Sequence, residues 1–311
     1  MKKAIVFGGS GFVGRQIVRN LCKEGYHVLI AVRDCERALR TKTAGNVGQI
    51  AAIKVNISNS DLVMAAVKGC DVVVNATGIL APFGQSFHDA HTQGACNIAL
   101  AAKKHAVGNF IHISALGVSV DHPSHYAKSK AAGEKVILEE FPSAVILRPS
   151  VIFGPGDGIF ERFDKMARFS PILPVIGSGA NLFQPVYVGD VADAICKAID
   201  NSEAKGKIFE LGGPDRYSFR QILTLLITQT KNRRLIVTIP FFLAYGLAIF
   251  GEIAGRLLGI NILTLDQLRL LRFDNIVGAD ALTLEDLSIT PKSVQAILPG
   301  YLSSIARNAF A

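Results

Sequence analysis

Three glycines at fixed spacing near the start of the chain constrain its fold more than any other feature. Gly8, Gly11 and Gly14 stand in the run Gly8-Gly-Ser-Gly11-Phe-Val-Gly14, directly after the apolar segment Ala4–Phe7 and where the helix-compatible stretch Val13–Lys23 opens. A strand that turns at once into a helix needs Gly8 for the sharp turn. Gly11 lets a pyrophosphate approach the backbone, and Gly14 lets the helix lie close to the sheet. The helix N-terminus then offers free N–H groups and a positive dipole end to phosphates. Ser10, Phe12 and Val13 complete the cradle. In a chain with 29 glycines the spacing alone says little; its place between strand and helix predicts a dinucleotide site.

Downstream, short apolar runs alternate with helical patterns. Strands are expected at Ala4–Phe7, His27–Val32, Ala51–Val55, Val72–Asn75, Asn109–Ser114 and Ala144–Pro149. Helices are expected around Val13–Lys23, Ser60–Lys68, Gly94–Lys104 and Tyr126–Glu140. Repeated βα units of this kind predict an α/β protein with a Rossmann-type doubly wound parallel sheet. After Pro149 the regularity changes. Phe153–Gly158 and Ser170–Gly179 read as Pro/Gly-rich connections, and Gln184–Asp193 as a strand entering a helix capped by Asp190. Residues 1–155, with 181–205 returning to them, are expected to form the nucleotide-binding domain. Residues 156–180 and 206–311 are expected to form a smaller C-terminal α/β lobe.

Composition excludes several classes. Half the residues are hydrophobic and 19% are charged, as in a globular protein. The net charge of +8 comes from scattered residues and short pairs such as Lys103-Lys104, never a basic run, so no nucleic-acid partner is expected. Five cysteines without a C-x-x-C pair argue against a disulfide framework or zinc site, and no metal is expected. The opening Met-Lys-Lys and its short apolar run carry no export signal, which predicts a bacterial cytoplasm or the inner-membrane face toward it. Leu235–Gly251 is free of charge for 17 residues but is interrupted by Pro240 and followed by Glu252 and Arg256. A buried strand, Leu235–Ile239, and an apolar helix from Phe241 are expected there in preference to a membrane span. An interfacial helix is the intermediate reading.

The choice of dinucleotide follows from the end of the second strand. An acidic residue there accepts hydrogen bonds from the adenosine ribose; here Val32 is followed by Arg33, with Arg37 and Arg40 close behind, and Asp34 comes one place late. A guanidinium fork matches a 2′-phosphate, so NADP(H) is favoured and NAD(H) is the alternative. Further on, Tyr126 and Lys130 are four apart and share one face of a helix. An ammonium beside a phenol is expected to favour the phenolate and make the tyrosine a general acid/base.

These elements together resemble the short-chain dehydrogenase/reductase superfamily in its extended or atypical branch. The matching segments are Gly8–Gly14, Asn75-Ala-Thr-Gly78, Ser114, Tyr126 with Lys130, Leu147-Arg-Pro149 with Phe153-Gly-Pro155, and Val186–Val191. The resemblance implies that Tyr126 is the acid/base, that Lys130 binds the nicotinamide ribose and that Ser114 polarises a substrate oxygen. It also implies that Ala76, Thr77 and Gly78 lie along the cofactor, that Asn56 and Ile57 lie near the adenine, and that Pro149 and Val151 line the site. Ser114 precedes Ala115, and either can be aligned with the catalytic hydroxyl position. A homodimer through the helices near Gly94 and Tyr126 is common in that superfamily.

A narrower resemblance runs into the C-terminal lobe. Phe110-Ile-His-Ile-Ser114, Lys130-Ala-Ala-Gly-Glu-Lys135, Gln184–Val188, Gly213–Tyr217 and Thr264–Leu271 with Asp274-Asn275 are similar to the nucleotide-binding accessory subunit of respiratory complex I and its bacterial homologues. That likeness implies tight NADPH binding at the periphery of a membrane complex, without turnover. The alternative is an active NADP-dependent reductase or epimerase/dehydratase, acting through Tyr126 and Lys130 on a sugar-nucleotide, quinone-like or isoprenoid carbonyl compound.

Overall fold

The first strand, β1 (Lys3–Phe7), is Ala-Ile-Val-Phe behind one lysine, and its four apolar residues are fully buried, as a strand covered on both faces requires. In the computed structural model the described residues are 2–82, 84–229, 234–258 and 263–308, without the side chains of Arg40, 253–258 and 303–308. The expected contact of Arg40 and the flanking charge of Arg256 therefore lie outside the described residues.

From Gly8 the chain enters α1 (Phe12–Lys23), then β2 (His27–Val32), a short α2 (Leu39–Lys42), β3 (Ile50–Lys54), α3 (Ser60–Val67) and β4 (Val72–Asn75). α4 (Gly94–Lys104), β5 (Asn109–Ile113), α5 (His125–Glu140) and β6 (Val145–Pro149) continue the alternation. Asn59 and Ser124 cap α3 and α5 by accepting the N–H groups of Leu62 and Ala127. There follow β7 (Ile152–Phe153), α6 (Phe160–Phe169), β8 (Ile172–Ile176), β9 (Leu182–Phe183), β10 (Val186–Tyr187) and α7 (Val188–Asp200). The chain ends through β11 (Ile208–Leu211), β12 (Tyr217–Ser218), α8 (Phe219–Gln229), β13 (Leu235–Ile239), α9 (Phe241–Leu258), α10 (Leu265–Leu270) and α11 (Val294–Asn308).

Two units result. The first takes the chain through Pro149, Gly189–Leu211 and Asp280–Ile289. Its seven-stranded parallel sheet runs β11-β6-β5-β4-β1-β2-β3. Strands leave β1 in one direction as far as β3 and then resume on its other side at β4. The C-terminal ends of β1 and β4, where Phe7 pairs with Asn75, therefore form the topological switch point at which such sheets bind ligands. One sheet face, with Ile5, Phe7, Val73, Phe110 and Ile146, packs into a buried cluster with Ala95 and Ile98 of α4 and Ile137 of α5.

The second unit takes Ser150–Val188, Gly212–Ala279 and the chain from Thr290 onward. Its core gathers Phe153, Phe160, Leu173, Leu223, Leu226 and Leu298. Buried Asp157 accepts the N–H groups of Gly154, Ile159 and Glu161 and, at 2.7 Å, the hydroxyl of Tyr301, which ties α11 to the loop after β7.

Three local expectations are corrected. Ser170–Gly179 is not only a connection: β8 lies within it and pairs in parallel with β13, with Pro174 tolerated because this sheet has only two strands. Asp190 is no cap, because α7 begins at Val188 and holds Asp190, buried, in its first turn, beside the positive helix end. The strand Leu235–Ile239 forms but is not buried, with Leu235 69% exposed. Among the described side chains of the helix after it, Ala244 and Ala248 are buried against Leu268 of α10, while Phe242 and Phe250 are 73% and 67% exposed. No described helix is long and apolar enough to cross a membrane.

Candidate nucleotide site

The glycine turn is shaped by contacts that only hydrogen side chains allow. Gly8 has φ +79°, and a Cβ there would lie 2.7 Å from the carbonyl oxygen of Ala76 in the loop after β4. A Cβ on Gly14 would collide with the Gly8 carbonyl, so the start of α1 is pressed onto the turn itself. Gly11 donates its N–H to Gly8 O at 3.0 Å and provides α1 with no side-chain cap. Gly11 is exposed, and Ser10, Phe12 and Val13 are half-buried. The first N–H groups of α1 thus meet an open, uncapped surface at the switch point, an arrangement that fits a dinucleotide's pyrophosphate.

After β2, Arg33 and the Asp34–Arg37 pair turn to separate partners. Arg33 is exposed and donates to Oε1 of Gln85 at 3.1 Å. Asp34 turns into its own loop, accepting the Glu36 N–H at 3.0 Å and pairing with Arg37 at 3.6 Å. Beyond β3, the Asn56 side chain accepts the Ser58 N–H, and Ile57 is buried beside Gly94 while its carbonyl accepts from Asn97. These elements sit on the β2–β3 side of the switch point.

On the other side lies the loop Ala76-Thr77-Gly78. Thr77 donates both its N–H and its hydroxyl to Oδ1 of Asn75. Lys130, buried on α5, donates its ammonium to the carbonyls of Ile113 at 2.9 Å and Thr77 at 3.2 Å, joining α5, β5 and this loop. Burial pulls Lys130 down to about 8, partly opposed by Glu134. The expected activation of the phenol is corrected: Tyr126 is pushed up to about 12 by desolvation. The Lys130 ammonium is held by two carbonyls, while the Tyr126 ring packs edge-on against His91 (centroids 5.4 Å) and Phe87 (6.1 Å).

Ser114, 4% exposed, follows β5, and its Oγ has no hydrogen-bond partner. The same holds for Nδ2 of Asn75 and both ring nitrogens of His112, paired neighbours on β4 and β5. His112 is pushed well below the usual imidazole range by burial, then by Lys130 and His91. A buried polar atom without a partner costs about 1–3 kcal/mol. Those of Asn75 and His112 are enclosed on β4 and β5, and that of Ser114 directly follows β5. Ala115 is half-buried next to Ser114; Pro149 ends β6 in the first unit, and Val151 belongs to the second.

Two contributors were given no role by the sequence reading. Glu134, one turn beyond Lys130, accepts two bonds from Arg148 of β6 at 2.9 and 2.6 Å, and Arg148 also meets Glu210 at 3.7 Å. His91 sits on a π-helical turn, His88–Gln93, entering α4. Its Nε2 accepts the Ile79 N–H at 3.0 Å, and burial pushes it down to about 3. His91 acts through partners outside its own turn, and Glu134, though inside the segment Lys130–Lys135, shows its role only through Arg148 of β6.

Comparison with known proteins is consistent with this geometry. Residues 4–212 match the NAD dependent epimerase/dehydratase family. The chain is 34% identical over 301 residues, 94% of its length and 75% of the relative's, to "NADH dehydrogenase [ubiquinone] 1 alpha subcomplex subunit 9, mitochondrial" of Arabidopsis thaliana. It is 30% identical to "NADH-ubiquinone oxidoreductase 40 kDa subunit, mitochondrial" of Neurospora crassa, covering 99% of this chain and 80% of that one. Among solved structures it is similar to a dTDP-glucose 4,6-dehydratase of Bacillus anthracis in complex with NAD, with a TM-score of 0.72, 18% identity, and coverage of 99% of this chain and 97% of that one.

Proposed function

The chain belongs to the NAD dependent epimerase/dehydratase family, and on that premise we propose that it is an NADP(H)-holding accessory subunit of a respiratory complex I-type NADH:quinone oxidoreductase. The observation that carries this reading is the extent of the likeness: relatives named as subunits of such an enzyme align with 94% and 99% of the chain, through both units and not the nucleotide-binding part alone. In this reading Gly8, Ser10, Gly11, Phe12, Val13 and Gly14 hold the pyrophosphate, and Arg33 with Arg37 meets the 2′-phosphate. Asn56 and Ile57 face the adenine end. Ala76, Thr77, Gly78, Tyr126, Lys130, Pro149 and Val151 take the nicotinamide end, with Ser114 beside them.

The exposed face of α9 supports the partner side of the proposal. Phe242, Leu243, Leu247, Ile249 and Phe250 form an apolar surface such as monomeric proteins rarely leave open. Subunits of the respiratory enzyme are its occupant here, at the cytoplasmic face of a bacterial inner membrane. Affinity purification of the tagged chain from detergent-solubilised membranes of its own cells should recover those subunits. Recovery of the chain alone, from both membrane and soluble fractions, would sink the assignment.

A second reading, an NADP-dependent reductase or epimerase/dehydratase, is favoured by one observation: Tyr126, Lys130 and an unpartnered Ser114 Oγ occur together in the first unit. The nicotinamide, when bound, supplies the hydride chemistry. The protein's part would be the phenol of Tyr126 exchanging a proton with a substrate oxygen while Ser114 hydrogen-bonds it. With desolvation pushing it up to about 12, Tyr126 stays a protonated phenol at neutral pH and is a weaker acid than a free tyrosine until another charge arrives.

A further inference from the structure

His91 has no part in the proposed cofactor contacts, yet its ring touches three of the site's components. The Ile79 N–H can only donate, so Nε2 of His91 is the acceptor and the ring proton belongs on Nδ1. Nδ1 then donates to Oγ of Ser129 at 2.8 Å, and the Ser129 hydroxyl donates onward to the carbonyl of Tyr126, also at 2.8 Å. A single chain of bonds thus runs from the loop after β4, through the ring, to the first turn of α5. The Thr92 hydroxyl donates to the Ser129 carbonyl at 3.3 Å and adds a parallel tie. The ring itself is clamped, lying nearly parallel to Phe87 (24°, 5.7 Å) and perpendicular to Tyr126 (89°, 5.4 Å). Its backbone is pressed onto α5 at Gly133, where any Cβ would strike the His91 carbonyl. The π-helical turn makes this possible, since the extra residue pushes position 91 out of α-helical register toward α5.

We propose that His91 is a positioning residue that locks the loop Asn75–Ile79 to the tyrosine helix and so sets the pocket for the half of the dinucleotide that lies over β4 and β5. The strand order places the adenosine half over β2, where Arg33 stands, and the other half across β1 toward β4. His91 therefore acts on one half only. The lock needs a neutral ring with its proton on Nδ1. The groups packed around the ring are Phe87, Tyr126, Ser129 and Lys130, with His112 near enough to feel its charge.

This inference rests on the dinucleotide reading, and its test separates the two. The probes are NADPH and adenosine 2′,5′-bisphosphate, which carries the adenosine half and the 2′-phosphate alone. They are titrated into the full chain and into its H91F, H91Q and S129A variants. H91F keeps a ring against Tyr126 and removes both bonds; H91Q restores one acceptor and one donor. NADPH affinity should fall about fivefold or more in H91F, the loss expected for neutral hydrogen bonds. It should fall in S129A and recover in part in H91Q, while bisphosphate affinity stays within about twofold throughout. In parallel, long-range ¹⁵N–¹H NMR of the wild-type chain should show His91 as the Nδ1–H tautomer from pH 8 down to 5. Equal losses for both probes, unchanged NADPH affinity in H91F, an Nε2–H tautomer, or protonation of His91 within that pH range would overturn the lock. A wild-type chain that binds neither probe would overturn the NADP(H) reading instead, and the tautomer would then decide the lock by itself.

Discussion

At the scale of single residues, Arg33 and Lys130 define opposite ends of the proposed cofactor. Arg33 follows β2 where an acid would serve a bare ribose, and it extends over the surface to Gln85. Replacing it by glutamate substitutes repulsion for a charge-assisted bond, so NADPH should bind at least about tenfold more weakly relative to NADH. Parallel titrations with both nucleotides check this, and an unchanged ratio removes Arg33 from the site. Lys130 makes a prediction about pH. Its folded-state value of about 8 lies below the ordinary 10.5, because burial disfavours the ammonium. Between those values the unfolded chain binds more protons than the folded one. The burial cost is therefore fully present below about pH 8 and is relieved as pH rises toward 10.5. Urea midpoints of the nucleotide-free protein at pH 7.5 and 9.5, compared with Lys130→Met, should show a gain of about 2 kcal/mol in the wild type that the variant lacks. Equal changes in both proteins would place the ammonium in water.

At the scale of elements, the glycine turn and α5 carry most of the site. Gly8→Ala meets both a left-handed backbone and the Ala76 carbonyl, so it should cost about 1–2 kcal/mol or more and abolish nucleotide binding. A thermal melt with and without NADPH reads both effects. Glu134→Gln leaves Arg148 with half its partner charge and should lower stability by about 2–3 kcal/mol, since a mostly buried ion pair loses more on breaking than a surface pair. An unchanged melting temperature would show that the pair does not anchor α5. The strands of the first unit were legible because each is a short Val/Ile-rich run, so the expected His27–Val32 and Val72–Asn75 agree with β2 and β4 to the residue. The expected Ala51–Val55 is one residue late, since pairing with β2 begins at Ile50. β11 was not foreseen, because Ile208-Phe-Glu-Leu211 is brief and owes its place to pairing with β6. His91 was given no role from the sequence, since the π-turn that gives it meaning has no sequence period.

At the scale of the whole molecule, one chain carries a unit proposed to bind a nucleotide and a second unit with an apolar helix face left open. The glycine turn was readable at once, because its three glycines stand close together between a strand and a helix, and the clash that demands Gly14 is with Gly8 itself. The exposed face was not. Leu235–Gly251 is uniformly apolar, and only packing shows that Ala244 and Ala248 face inward while Phe242 and Phe250 do not. Placing glutamate at Phe242 and Phe250 should therefore abolish co-purification with respiratory subunits and leave NADPH affinity within about twofold, as exposed surface changes usually do. Retained co-purification would mean that the partner lies elsewhere. The central claim is that this chain holds NADP(H), and the most direct measurement is mass spectrometry of the nucleotide released when the protein, purified from its own cells, is denatured. The account predicts NADP⁺ or NADPH, about one per chain as the single glycine turn allows. Release of NAD(H), or of no nucleotide at all, would contradict it.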